Sequence, residues 1–450
     1  MVGKKLVMEA RLASVLEDQG GERDTDGRGL EEGEEEDCRV GGTHGALSLE
    51  DGQTVTQPGT VSGGRRSRPE GEVPGEGQQR EGEEEEEEEE EGAEGQGRGT
   101  ECVISEDGEY DTDLEMEGEA GAYDPTGQAS YREACRMLGV VPASYALRHL
   151  QSSELIMMHH GLGPQGTKAL AVPLVTNTSI LKLNLRDNWM EGMGGVAVAD
   201  MLKENCYITD VDLSENQLGE RGAWALASTL QENSTLVRLG LAGNQLGDGA
   251  GRPLAHALTS NTRLESLDLS HNSLGEEAGK VLGPALAENT GLRHLSLAWN
   301  CLRGRGAVAL AAGLGANIFL RSLDLSYNGF GREGAVSLGE ALKDNNTLEE
   351  LDISNNRIPP EGAIRFTMGL KVNKTIRALQ MGRNPIQTAG CYGVLKSIQE
   401  NSQSAVESLD FSDIPVNQDC EDLLSSMKDA FPNLTVKHGG RIDTFRKAKR

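Results

Sequence analysis

The side chains in this sequence that could carry out chemistry fall into two sets. The first suits catalysis and lacks the spacing for it. His159, His160, His271 and His294 could each move a proton, yet none stands at a motif distance from a Ser or Cys nucleophile. The glycines of Gly304-Arg305-Gly306 and Gly313-Leu314-Gly315 do not belong to a G-x-x-x-x-G-K-[ST] frame, so no phosphate cradle is formed. The 7 cysteines are odd in number and scattered, with no C-x2-C pair. Neither a zinc site nor a dithiol redox centre is indicated. The chain is therefore expected to be non-enzymatic, with no cofactor and no metal.

The second set suits recognition. Lys182, Arg186 and Trp189 lie close together, followed by Arg238, then His294 with Trp299 and Tyr327, then Arg383. Exposed Trp, Tyr and Arg anchor interfaces because each offers a large rigid area or a directional charge. Asp268, Asp324 and Asp352 add a recurring carboxylate. The recurrence has two explanations: the acids face a partner, or they are repeat sequence that serves the fold.

These residues are positioned by a strict repeat. Asn188, Asn216, Asn244, Asn272, Asn300, Asn328, Asn356 and Asn384 are separated by 28 residues throughout. An L-x-x-L-x-L pattern precedes them, as in Leu236, Leu239 and Leu241. Alternating Leu predicts a short strand with one buried face. Apolar residues ten and fourteen places after the Asn, such as Leu226 with Leu230 and Leu310 with Leu314, predict a helix with one apolar stripe. A second Asn closes each unit, from Asn177 to Asn401. It is expected to take the left-handed conformation that ends helices. Such units cannot bury their apolar faces singly; stacked, they form a parallel inner sheet and an outer row of helices. The first Asn then has a task of its own, because its amide both donates and accepts and can serve backbone groups of two neighbouring units.

This pattern resembles the ribonuclease-inhibitor class of leucine-rich repeats. The entry segment YREACRMLGVVPASYALRHL, followed by MMHHGLG, is similar to the leucine-rich repeat-containing protein 74 group. The resemblance covers about residues 126–440 and implies an α/β horseshoe, a solenoid with a parallel inner sheet. Nine units fit between residues 152 and 403, with His160 in place of the first Asn. Residues 126–151 are expected to cap the first edge. A tenth strand around Val406, Leu409 and Phe411 opens the terminal unit, 404–440, in which Cys420–Val436 is expected to cover the last edge. Members of the class include activators of small GTPases, so the resemblance also allows such a regulator, with Arg186 or Arg383 as the charge-stabilising group.

Charge divides the chain. Residues 1–125 hold 38 acids and 11 bases, a net −27, while the remaining residues hold 34 and 32. An unbroken Glu83–Glu91 run and few apolar residues predict a disordered acidic arm. A tethered polyanion would attract basic proteins such as histones, or would serve only to keep the chain soluble. The 441–450 tail has the opposite sign, with five bases and one acid. No run of about 18 apolar residues is present, so no membrane contact is expected. Glu9 and Arg11 interrupt any secretory core, and the cysteines read as reduced thiols, which points to cytoplasm or nucleus rather than secretion. Aromatics are 4% of the chain, too few for a base-stacking surface, so direct nucleic-acid binding is not expected. The partner implied by the departures from the repeat is a protein on the concave face.

Overall fold

The computed structural model describes residues 124–442. The acidic arm before Asp124 and the tail beyond Ile442 lie outside the described residues, as do the expectations attached to them. Two helices, α1 (Gln128–Leu138) and α2 (Ser144–His149), open the fold. Strands and helices then alternate. The strands are β1 (Glu154–Ile156), β2 (Lys182–Asn184), β3 (Asp210–Asp212), β4 (Arg238–Gly240), β5 (Ser266–Asp268), β6 (His294–Ser296), β7 (Ser322–Asp324), β8 (Glu350–Asp352), β9 (Ala378–Gln380), β10 (Ser408–Phe411) and β11 (Thr435–His438). They form one parallel sheet in sequence order. Pairing joins equivalent residues, such as Lys182 with Asp210 and Ser266 with His294, so the sequence period is also the sheet register. The protein is a leucine-rich-repeat horseshoe, with strands on the concave side and helices on the convex side.

Burial follows the Leu alternation. Leu183, Leu239, Leu267 and Leu323 are buried, while the residues on either side of them in the strand face outward. The helical pairs Leu226/Leu230 and Leu310/Leu314 close the core from the other side. Each such side chain contributes about 1.5–3 kcal/mol relative to exposure. Helix Glu276–Glu288 meets helix Gly304–Ala316 through glycines: a Cβ added at Gly313 would collide with the Gly283 carbonyl oxygen.

Two asparagine ladders fasten the units together. In the first, the Asn216 backbone N–H donates to Oδ1 of Asn244 at 2.9 Å, while Asn216 Nδ2 donates to the carbonyls of Leu185 and Leu213, both at 2.9 Å. The bond to the next Asn and the bond back to the preceding unit recur at Asn188, Asn272 and Asn356, and these side chains are buried. The amide thus satisfies backbone groups in its own unit and in the one before it, which burial would otherwise leave unpaired at a cost.

The second ladder corrects an expectation. The unit-ending asparagines are not left-handed: Asn205 has φ −79° and ψ 124°, and Asn233, Asn261 and Asn345 are likewise extended. Extended backbone lets Asn205 Nδ2 reach the Leu174 and Asn177 carbonyls of the preceding unit at 2.7 and 2.9 Å. Its Oδ1 accepts from the backbone N–H groups of Tyr207 and Ile208. Left-handed positions occur on both sides of the first-ladder Asn: Asp187, Glu215, Gly243, His271, Trp299, Tyr327, Asn355 and Arg383 before it, and Trp189, Gln217, Gln245, Ser273 and Arg357 after it, all have positive φ.

At the first edge, Asn188 Oδ1 accepts from the His160 backbone N–H at 3.0 Å, and the Tyr145 ring lies against His160 with centroids 5.6 Å apart. At the other end the spacing loosens to 30 residues between β9 and β10 and 27 between β10 and β11. Helix Gln418–Met427 buries Cys420, but Thr435–His438 continues the sheet instead of covering it. Among the described residues the last strand of the sheet is therefore β11.

Candidate functional site

Four columns of side chains cross the concave face. The first comes from the opening residue of each strand. Here Lys182 Nζ pairs with Glu154 at 3.3 Å and Arg238 Nη1 with Asp210 at 3.2 Å, and His294 faces outward on β6. Exposed pairs of this kind contribute little to stability, about 0–1 kcal/mol.

The second column holds the aspartates. Oδ1 of Asp268, Asp324 and Asp352 accepts from the backbone N–H of Ser270, Ser326 and Ser354 at 2.9, 2.9 and 2.8 Å. The acids therefore shape the turn after each strand, as repeat sequence would. Burial, and then the charges of Asp324 and Asp410, push the Asp352 carboxyl above its usual range. The third column is small, with Ser270, Ala298 and Ser326 buried as a floor. Arg186 stands in this column toward the N-terminal end and pairs with Glu215.

The fourth column brings the recognition residues together. Trp299 stacks on Tyr327 with ring centroids 3.8 Å apart and planes 9° from parallel. Its other face meets His271 at 5.2 Å and 14°. Arg383 Nη1 donates to the Tyr327 hydroxyl, and Arg383 Nε pairs with Asp413 at 2.9 Å. This ledge of three rings and a guanidinium extends over five units. Its backbone is held left-handed by bonds to the next unit: the N–H groups of His271, Trp299 and Tyr327 donate to the carbonyls of Ala298, Ser326 and Ser354, each at 2.9 Å. Left-handed backbone is strained for large side chains. Gly243 and Asn355 fill equivalent places, so the turn itself does not require a ring.

Of the expected residues, Trp299, Tyr327 and Arg383 join in this ledge, beside the Asp268, Asp324 and Asp352 column. His294 does not: it opens β6, while the ring on Trp299 is His271. Lys182, Arg186 and Trp189 lie several units away. Trp189 is 64% exposed and stacks on no ring among the described residues. Sequence reasoning missed His271 as a ledge member, and it missed Trp224, exposed on helix Gly219–Glu232. Reading the residue before each ladder Asn as a column of its own would have found His271. Among the described residues no group of His, Cys, Asp or Glu is arranged to hold a metal, and no helix is long and apolar enough to cross a membrane.

The fold is that of a leucine-rich-repeat solenoid. A family profile described as "Leucine Rich repeat" matches seven segments: 176–199, 204–227, 232–255, 260–283, 288–311, 316–339 and 344–366. The chain is 52% identical over 50 residues to human leucine-rich repeat-containing protein 74B, covering 11% of this chain and 13% of that protein. It is 48% identical over 67 residues to the mouse protein of that name, covering 15% and 17%. The matched stretches are thus a small fraction of either relative. Among solved structures it is similar to a chain of the TLR13–ssRNA13 complex, with TM-score 0.43 and 19% identity over 68% of this chain and 38% of that one.

Proposed function

We propose that this protein is a non-enzymatic scaffold that binds a protein partner on its concave face, chiefly through His271, Trp299, Tyr327 and Arg383. One observation carries the reading: large rings occupy strained left-handed positions that Gly243 and Asn355 fill equally well elsewhere. The fold gains little from a ring there, so recognition is the better reason for it. Asp268, Asp324 and Asp352 flank the ledge and favour a partner with basic groups opposite them. The reading includes a tuning role for the acidic arm and a location in cytoplasm or nucleus.

The test is affinity capture from cell extract with the full chain, the Trp299→Ala/Tyr327→Ala double variant, and a chain beginning at Asp124. Partners lost with the double variant support the ledge. An unchanged partner set in that variant would remove it, and loss only on truncation would move binding to the arm and revive the basic-protein reading. The GTPase-regulator reading is weaker, because no observation of this chain favours it over the scaffold reading.

A further inference from the structure

A second candidate site lies at the other end of the strands, where each helix returns to the sheet. The residue just before the strand is Leu181, Thr209, Val237 and Glu265 in successive early units, then Arg293, Arg321, Glu349 and Arg377. The change is local and the repeat does not dictate it. These later residues line an open cleft of about 450 Å³. Lys374 adds a fourth cation to its wall, against the single carboxylate of Glu349.

The cations are held in place without being used up. Arg321 Nη1 pairs with Glu349 Oε1 at 2.5 Å, and Arg377 bridges Glu349 and Glu407 at 3.7 and 3.3 Å. Arg293 lies over the Phe319 ring, 5.3 Å from its centroid, and donates to the Phe319 carbonyl at 3.1 Å. Each guanidinium keeps further N–H groups free, and Lys374 has no partner among the described residues. Beside them Ile318 is 66% exposed, so the cleft has an apolar side as well.

We propose that this cleft is an oxyanion site that takes an acidic protein segment, with carboxylate or phosphoryl oxygens on Arg293, Arg321 and Lys374 and an apolar side chain against Ile318 and Phe319. The cleft runs over three rungs of the sheet, roughly 14 Å, which suits about four extended residues. Glu349 in the middle of the wall disfavours a continuous polyphosphate backbone, so a peptide fits better than a nucleic acid. The site is separate from the ring ledge, and either can fail without the other.

The experiment uses the full chain, fluorescence anisotropy at low salt, and three labelled probes. These are the peptide Leu-Glu-Glu-Glu-Leu-Glu, the same peptide with phosphoserine at its third position, and an oligo-thymidine strand. The chain carries −29 overall, so a saturable anion signal reports a local site and not bulk attraction. Lys374→Glu and Arg293→Gln should each weaken peptide binding about tenfold or more, and Lys374→Arg should retain it. Trp299→Ala should leave it unchanged. Which peptide binds more tightly distinguishes a carboxylate ligand from a phosphoryl one. The proposal is overturned if neither peptide saturates, if wild type and Lys374→Glu bind alike, or if the oligonucleotide binds more tightly than both peptides.

Discussion

Trp299 and Tyr327, one repeat apart, lie ring on ring with centroids 3.8 Å apart and planes 9° from parallel. The contact joins two units through groups that the core does not need. Trp299→Ala should therefore cost only about 1–3 kcal/mol of stability, the range of its two ring contacts. Partner affinity should fall about thirtyfold or more, as for an interface anchor. Urea unfolding alongside affinity measured with the captured partner separates the two; a large stability loss with intact binding would make the stack structural.

Asn272 should behave in the opposite way. Its amide donates to the carbonyls of Leu241, Leu269 and Ser270 at 2.8, 3.1 and 3.0 Å, and its Oδ1 accepts from the Asn244 backbone N–H. Asn272→Ala leaves these buried groups unpaired and should cost about 3 kcal/mol or more. A denaturation midpoint within error of the wild type would show that water replaces the amide at no cost.

The Asp352 carboxyl carries a pH signature. Its folded-state pKa lies above the ordinary 3.8, so the folded chain holds this proton more tightly than the unfolded chain does. Ionisation of Asp352 therefore weakens folding. The penalty is absent below pH 3.8 and complete once the pH exceeds the raised folded value. Asp352→Asn keeps the oxygen that accepts from Ser354 and removes the charge. It should raise the unfolding midpoint at neutral pH and lose that advantage in acid; a gain that persists below pH 3.8 would contradict the assignment.

Two glycines give a matched pair. Gly313→Ala places a methyl on the Gly283 carbonyl of the adjacent helix and should destabilise by about 1–3 kcal/mol. Gly393 lies inside helix Gln387–Glu400, where a methyl would meet only Ile364 and Thr367 at 3.7 Å. Gly393→Ala should stabilise by about 0.5–1 kcal/mol. Thermal melts of both variants decide the matter, and shifts of the same sign would refute the contrast.

Thiol reactivity should also divide by position. Burial pushes the Cys391 thiol up to about 12, while Cys206 is exposed. Site-resolved alkylation at neutral pH should modify Cys206 early and Cys391 only on unfolding, since the thiolate is the reactive form. Early labelling of Cys391 would mean that the terminal units open readily.

Much of this architecture is legible in the sequence, because a fixed period repeats every local signal many times. The Leu positions, the helices and the first asparagine ladder all follow from that period. What local propensity misjudges is the second asparagine: Asn205 and its counterparts end helices, yet their conformation is set by bonds to the preceding unit and not by their own preference. The ring ledge is half legible. Trp299, Tyr327 and Arg383 stand out by type, whereas His271 becomes visible only when the column before each ladder Asn is read through. Strand β11 lacks both the Leu pattern and the Asn, so no periodic signal marks it.

The first asparagine ladder has a direction. The side chain of Asn244 takes the N–H of Asn216 and gives to the carbonyl of Leu213, both in the unit before it. In this ladder each unit is therefore completed by its successor, although the sheet also bonds each unit back to its predecessor, as from the Thr209 N–H to the Leu181 carbonyl. On the ribosome, where the chain emerges from its N-terminus, every finished turn of solenoid must wait for the next 28 residues to leave the tunnel. Folding should then trail translation by one repeat, and a nascent chain halted within the array should end on a unit whose ladder bonds to its successor are not yet made.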